Sequence, residues 1–144
     1  MDPGEARERF TSERVARLAT IRSDGTPHLV PVVFAADGDV VWIAVDDKPK
    51  RTRELKRIAN VEADPRVSVL ADRYDDRDWS LLWWVRGDGR ARVLRDPRSV
   101  TRAAARLGAK YPQHAAHPPA GPVIEIEVER WTGWSAAGDE TDPA

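Results

Sequence analysis

The sequence contains no cysteine. Disulfides, thiolate metal sites and cysteine nucleophiles are excluded together. There is no internal repeat, no low-complexity segment, and no apolar run near the ~20 residues a membrane-spanning helix needs. Residues 1–10 alternate acidic and basic side chains and lack the apolar core of a signal peptide, so the expected location is the cytoplasm. An excess of one charge is also missing: 23 Lys and Arg stand against 24 Asp and Glu, a net charge of -1. A nucleic-acid binder is expected to carry a basic or strongly one-sided field, which argues against that class. Lysine is scarce, outnumbered by arginine 19 to 4, a bias that reads as GC-rich codon usage rather than chemistry. What remains is 144 residues, 41% hydrophobic and 33% charged, as expected of one globular domain with its own core. The expected domain is 1–135, with 136–144 a flexible tail.

The order of patterns predicts a mainly β chain with short helices. Pro3 to Val15 reads as a helix, with Pro3 near its start and Glu5 and Glu8 in its early turns. Val15–Ile21 alternates as a strand, Ser23-Asp24-Gly25-Thr26 is a turn, and Pro27–Phe34 is a second strand. Its residues His28, Val30, Val32 and Phe34 face one way, Leu29, Pro31 and Val33 the other. Pro31 cannot donate to a sheet ladder, so this strand is an edge or carries a bulge. Ala35–Gly38 reads as a turn into a third strand, Val40–Val45, and the three strands as a meander. Thr52 is the candidate cap of a helix with Leu55, Ile58 and Ala59 on one face, ending at Asn60–Pro65. Arg66–Asp72 is a fourth strand, and Tyr74–Trp79 an aspartate-rich loop. Leu81–Val85 and Gly89–Leu94 read as one long strand interrupted at Gly87-Asp88-Gly89 by a hairpin or a bulge, with a bulge or bend preferred. Asp96-Pro97 starts a helix to Leu107, with Val100, Ala103, Ala104 and Leu107 as its stripe. Lys110–Gly121 is a loop, and Val123–Trp131 the last strand. Six or seven antiparallel strands with short helices at the crossings suggest a closed or nearly closed barrel.

One stretch stands against ordinary helix design. Lys48, Lys50, Arg51 and Arg53 fall within six positions, just where the helix after the third strand begins. A helix N-terminus already carries about half a positive unit charge and free N–H donors, so cations there oppose the dipole. The conflict disappears if a phosphate sits among them. A solvated charged loop is the alternative reading.

These pieces together resemble a known family. Leu18-Ala19-Thr20-Ile21 with Asp24-Gly25-Thr26-Pro27-His28 resembles the opening hairpin of the pyridoxamine 5'-phosphate oxidase-like, split-barrel flavin-binding superfamily. The third strand with Lys48-Pro49-Lys50-Arg51-Thr52-Arg53 resembles its phosphate-binding turn. Asp64-Pro65-Arg66-Val67-Ser68-Val69 resembles the entry to its fourth strand. The likeness runs over residues 10 to 95, and the final strand fits the same barrel. Lys48 to Thr52, Asp78-Trp79-Ser80 and Trp83-Trp84-Val85-Arg86 look most like the single-domain branch that uses the deazaflavin coenzyme F420 in place of FMN. The resemblance implies a split β-barrel homodimer that holds the cofactor between subunits and transfers hydride between reduced cofactor and a small-molecule acceptor. The C-terminal substrate segment of true pyridoxamine phosphate oxidases is lacking, which argues against vitamin B6 oxidation.

A dianionic 5'-phosphate is held by guanidinium forks and ammonium groups. Lys48, Lys50 and Arg51 are the candidate phosphate residues, Thr52 adds a hydroxyl or backbone donor, and Arg53 ranks next. A flavin-like ring needs a flat apolar slot, and His28, Val30, Pro31 and Val32 offer such a wall. The resemblance implies that backbone groups of this strand and Thr20 meet the ring's pyrimidine side, and that Trp79 covers the cofactor from the partner subunit. A solvated histidine, an edge-strand proline and core or dimer tryptophans are the alternatives for His28, Pro31 and the Trp79, Trp83, Trp84 cluster. Trp83 and Trp84 point to opposite faces if both lie on a strand. The tail of a deazaflavin is longer and acidic, so Arg14, Arg17, Arg22 and Arg73 are further cations available to it. His114 and His117 lack a third metal ligand and read as loop residues, and Asp75, Asp76 and Asp78 fail the calcium-loop pattern. No acid–base or nucleophile pair stands out, as expected where the cofactor carries the reactive carbon. The rivals are an FMN oxidoreductase of the same fold, a non-catalytic module carrying a cofactor or tetrapyrrole, and a purely structural dimer.

Overall fold

Two glycines with positive φ, Gly25 (86°) and Gly38 (59°), mark the tight turns of the first half of the chain, where a residue with a Cβ is strained. The computed structural model describes residues 1–45 and 51–138, with 51–55 described by backbone alone. In chain order the elements are α1 (Pro3–Ser12), β1 (Ala16–Ile21), β2 (Pro27–Val32), β3 (Ala35–Asp37), β4 (Val40–Ala44) and α2 (Arg51–Ala63). There follow β5 (Arg66–Arg73), a 3-10 turn (Trp79–Leu81), β6 (Trp83–Leu94), α3 (Pro97–Lys110), α4 (Pro112–Ala116) and β7 (Val123–Ser135). The strands form one antiparallel sheet in the order β2-β1-β5-β6-β7-β4-β3. No helix among the described residues is long and apolar enough to cross a membrane.

This order makes the sheet roll. β2 and β3 are its two edges, yet only Val33 and Phe34 separate them in sequence. Three Cα steps reach at most ~11 Å, whereas seven flat strands would hold their edges about 29 Å apart. The edges must therefore come together at this corner without pairing, which gives a split barrel. Every second residue of β1 and β2 then faces inward: Ala16 opposite Val32, Leu18 opposite Val30, Thr20 opposite His28. Phe10 of α1 closes one end, its ring 4.4 Å from Phe34 and 5.3 Å from Trp131. Asp2 caps α1 by accepting from the Glu5 N–H at 2.9 Å. At the corner, the Tyr111 hydroxyl accepts from Phe34 N at 3.2 Å and donates to the Arg14 carbonyl at 2.9 Å. Lys110 Nζ lies 3.6 Å over the Phe34 ring, and burial with the nearby Arg14 guanidinium pushes it down to about 8.

Several expectations need correction. The third predicted strand, β4, is not beside β2 in a meander but lies between β7 and β3. The predicted turn Ala35–Gly38 contains β3, and the reversal falls at Gly38-Asp39. α1 stops at Ser12, where the Thr11 and Ser12 hydroxyls bond back to the Arg7 and Glu8 carbonyls and the next residue turns extended. α2 ends at Ala63, inside the expected range, but Thr52 is its second residue rather than its cap, Ala59 is exposed and Asn60 is buried. The loop after Lys110 contains α4, and Leu81 belongs to the 3-10 turn before β6. Pro31 does lie on an edge strand, and the stripe Val100, Ala103, Ala104, Leu107 is buried. Residues 136–138 form a turn, and the rest of the expected tail lies outside the described residues.

The expected irregularity at Gly87–Gly89 is a bulge against β7: Asp88 pairs with Arg130 and Gly89 with Val128, leaving Glu129 as the extra residue. A Cβ on Gly89 would lie 2.1 Å from the Glu127 carbonyl oxygen, so only glycine lets the two backbones approach here. Gly89→Ala is expected to destabilise the chain by about 3 kcal/mol, read as a melting temperature lowered by about 5–10 °C.

Candidate functional site at the barrel seam

Where the edges meet without pairing, the barrel wall is open. A cleft of about 650 Å³ lies at this seam, walled by Val33 from the β2–β3 link and by Ala44 and Val45 at the end of β4. Its far wall is the segment Tyr111–Pro119, with His114 and His117 among its polar groups. The volume suits an organic ligand with a ring system. The chain leaves this cleft at Val45, enters the basic stretch, and returns as α2. Lys48 and Lys50 lie outside the described residues; Arg51, Thr52 and Arg53 are placed by backbone only, in the first turn of α2.

From there α2 packs on β1 and β6, bringing its middle to the end of the first hairpin. His28 sits at that end, half-buried, its Nδ1 shielded from solvent without a hydrogen-bond partner. Burial holds its imidazole below the ordinary value, and the cations of Arg22, Arg57 and Lys56 push it further down. Three cations from the hairpin and the helix therefore act on one point. The Arg22 guanidinium is tethered there by the Pro27 carbonyl and, at 3.4 Å, by Thr26 Oγ1.

Thr20, opposite His28, is only 2% exposed; its Oγ1 accepts from Asn60 Nδ2 at 3.0 Å. Its side chain is thus committed to α2. Val30 and Val32 point into the core with His28, whereas Pro31 is exposed on the outer face beside Leu29, itself 66% exposed. The four residues of the expected ring wall do not share one surface. Val30 and Val32 can offer a ligand only backbone, and the outer apolar face of the strand is Leu29, Pro31 and Val33.

Trp79 is 65% exposed, on a loop shaped by its aspartates. Asp75 accepts from Arg77 N (2.9 Å), Asp78 from Ser80 N and Oγ (3.0 and 2.6 Å), and Asp76 from the Tyr74 hydroxyl (2.9 Å). Trp83 packs against the core and lines a second cleft of about 410 Å³ with Arg9 above it, while Trp84 faces outward under Arg86. Neither joins the seam cleft. Of the four spare arginines, Arg22 alone acts on His28; Arg17 is paired with Asp72, Arg73 with Glu13, and Arg14 donates to the Lys110 carbonyl. No set of three His, Asp or Glu able to hold a metal occurs among the described residues.

Lys56, Arg57 and Asn60 escape a reading that stops at residue 53. A signal for them exists: Arg53, Lys56, Arg57 and Asn60 follow the three- and four-residue spacing of one helix face. His114 and His117 escape it because their place on the cleft wall depends on α3 folding back over the seam.

The comparisons with known proteins agree on this architecture. A conserved hypothetical protein of Mycobacterium tuberculosis is 24% identical, with a TM-score of 0.76 over 94% of this chain and 86% of its own. A FAD-binding protein from Mesorhizobium loti is 24% identical, with a TM-score of 0.70 over 92% and 94%. The FAD-binding protein of Mycobacterium smegmatis is 21% identical, with a TM-score of 0.62 over 93% and 94%. At these identities the likeness establishes the fold. No functionally curated protein matches the chain. The family described as pyridoxamine 5'-phosphate oxidase matches residues 3–135, nearly the whole sequence. The chain is a member of the pyridoxamine 5'-phosphate oxidase family, folded as a split barrel.

Proposed function

We propose that this protein is an oxidoreductase that binds a phosphate-bearing, flavin-type cofactor at the seam, with the deazaflavin F420 as the first reading. The observation that carries this is the convergence of Arg22, Lys56 and Arg57 on His28, the latter two cations lying on the helix whose start holds the basic run. In a chain of net charge -1, so many cations along the first half of one helix and beside it suit an anion. The donor chemistry fits: guanidinium and ammonium groups suit phosphate, and a cleft of flavin-compatible size opens at Val45, where the chain enters the basic stretch. Lys48, Lys50, Arg51, Thr52 and Arg53 would hold the phosphate, and the remaining cations would meet further acidic groups. When bound, such a cofactor supplies the hydride-carrying carbon; the protein's residues position it and exclude water. FMN is the second reading; the names of the two FAD-binding neighbours favour a flavin in general.

The cofactor would lie between two copies of the chain, with Trp79 of each reaching toward the other's site. The exposed Leu29, Val33, Trp79 and Leu81 support such an interface. In light scattering the protein is expected to run at twice its 16.1 kDa, and Leu29→Glu to return it to the monomer mass.

Titration of the purified chain with F420 and with FMN, read by tryptophan quenching, tests the reading. Tight binding of F420 alone is expected; preference for FMN selects the second reading. Lys50→Ala with Arg51→Ala is expected to weaken binding about tenfold to a hundredfold; unchanged affinity would show the phosphate site is elsewhere. His28 is expected to titrate below 6.5 in the free protein and to shift upward when pyrophosphate offsets the surrounding cations, as followed by its imidazole proton resonances.

A further inference from the structure

Among the described residues, Thr20, Asn60 and Ser135 are the buried polar or charged side chains, and two of these three bond to each other. We propose that Thr20 and Asn60 are positioning residues. Their buried hydrogen bond fixes the angle of α2, and so the placement of its first turn at Arg51–Arg53, without either residue touching the ligand. The inference rests on the anion-site reading above and changes the role of Thr20 from ligand contact to support.

The argument is one of geometry. Ile58 and Val61 bury apolar side chains, contacts that resist separation but allow a helix to roll or slide. Asn60 lies about 100° around the helix from Val61, at the flank of that apolar stripe, so a directional bond there opposes rotation. Behind it, the helix end is held by the Glu62–Arg95 pair, two contacts of 3.1 Å, and by the Asp64–Arg66 pair. Arg51 precedes Asn60 by nine residues, a lever of about 13 Å. A tilt of about 10° around Asn60 would move the first turn by about 2 Å, enough to lose hydrogen-bond geometry with a phosphate. A buried polar pair in an apolar setting is suited to specify one arrangement rather than to add net stability.

The test replaces both partners with apolar residues of similar size, Thr20→Val with Asn60→Leu, so that neither is left buried and unpaired. The double variant is expected to melt within a few degrees of the wild type. Its amides at Lys56–Asn60 are expected to exchange hydrogen faster, while those of β5 and β6 keep their protection. Affinity for whichever of F420 or FMN the wild type binds is expected to fall about tenfold to a hundredfold, and Thr20→Ser to retain it within about threefold. Wild-type exchange in α2 together with wild-type affinity would overturn the proposal. If the wild type binds neither cofactor but exchange in α2 still rises in the double variant, the anion-site reading fails and the positioning of the helix by this bond stands.

Discussion

The two-residue link between β2 and β3 is the constraint on which the architecture depends. It joins the first and last strands of a seven-stranded sheet, so the sheet cannot lie flat. Phe34, inside that link, meets Phe10 of α1 and accepts the Lys110 ammonium on its face, while its N–H is held by Tyr111. The closure is thus pinned from both sides by the helices that cover it. Closure without pairing leaves an opening, and the cleft between β4 and the Tyr111–Pro119 segment is that opening. Fold and candidate site follow from one topological fact.

Local patterns foretold much of this because they are fixed by neighbouring residues. The alternation of Val123–Trp131, the proline of β2 at an edge and the stripe of α3 need only the period of a strand or helix and the missing N–H of proline. The meander failed for the opposite reason. Hairpin-length links between β2, β3 and β4 suggested adjacency, but β7 arrives from the far end of the chain to pair with β4, and Phe34 is claimed by the core instead of the sheet. The end of α2 within Asn60–Pro65 was legible, but the burial of Asn60 was not. Its buried partner lies on β1, 40 residues away, and no local rule contains Thr20. The basic run was legible as a conflict in helix design; its extension through Lys56 and Arg57 became visible once β2 carried His28 beside them.

Net charge conceals the arrangement. Many arginines elsewhere are matched one to one: Arg7 with Asp39, Arg17 with Asp72, Arg73 with Glu13, Arg92 with Glu125, Arg95 with Glu62. Such exposed pairs contribute little stability individually, but each offsets the charge of its own arginine locally. The imidazole of His28 is shaped by burial and by three cations.

α2 has its charges the wrong way round for a stable helix. Cations crowd its positive end, the last turn holds no basic residue, and Glu62 sits near its negative end. Each misplaced charge costs a few tenths of a kcal/mol or more in an isolated helix. The C-terminal half is repaired within the chain: Arg95 neutralises Glu62, Asp64 N–H bonds the Asn60 carbonyl, and Ile58, Val61 and Asn60 dock on the barrel. The repair is therefore loaded at one end, and the charge conflict is concentrated at the other. An anion bound at the N-terminal end would remove that conflict, and such binding would stabilise the helix through the same charges. A helix designed for stability alone would have exchanged its two ends; this one keeps its anchor where the barrel is and its electrostatic strain where a phosphate can relieve it.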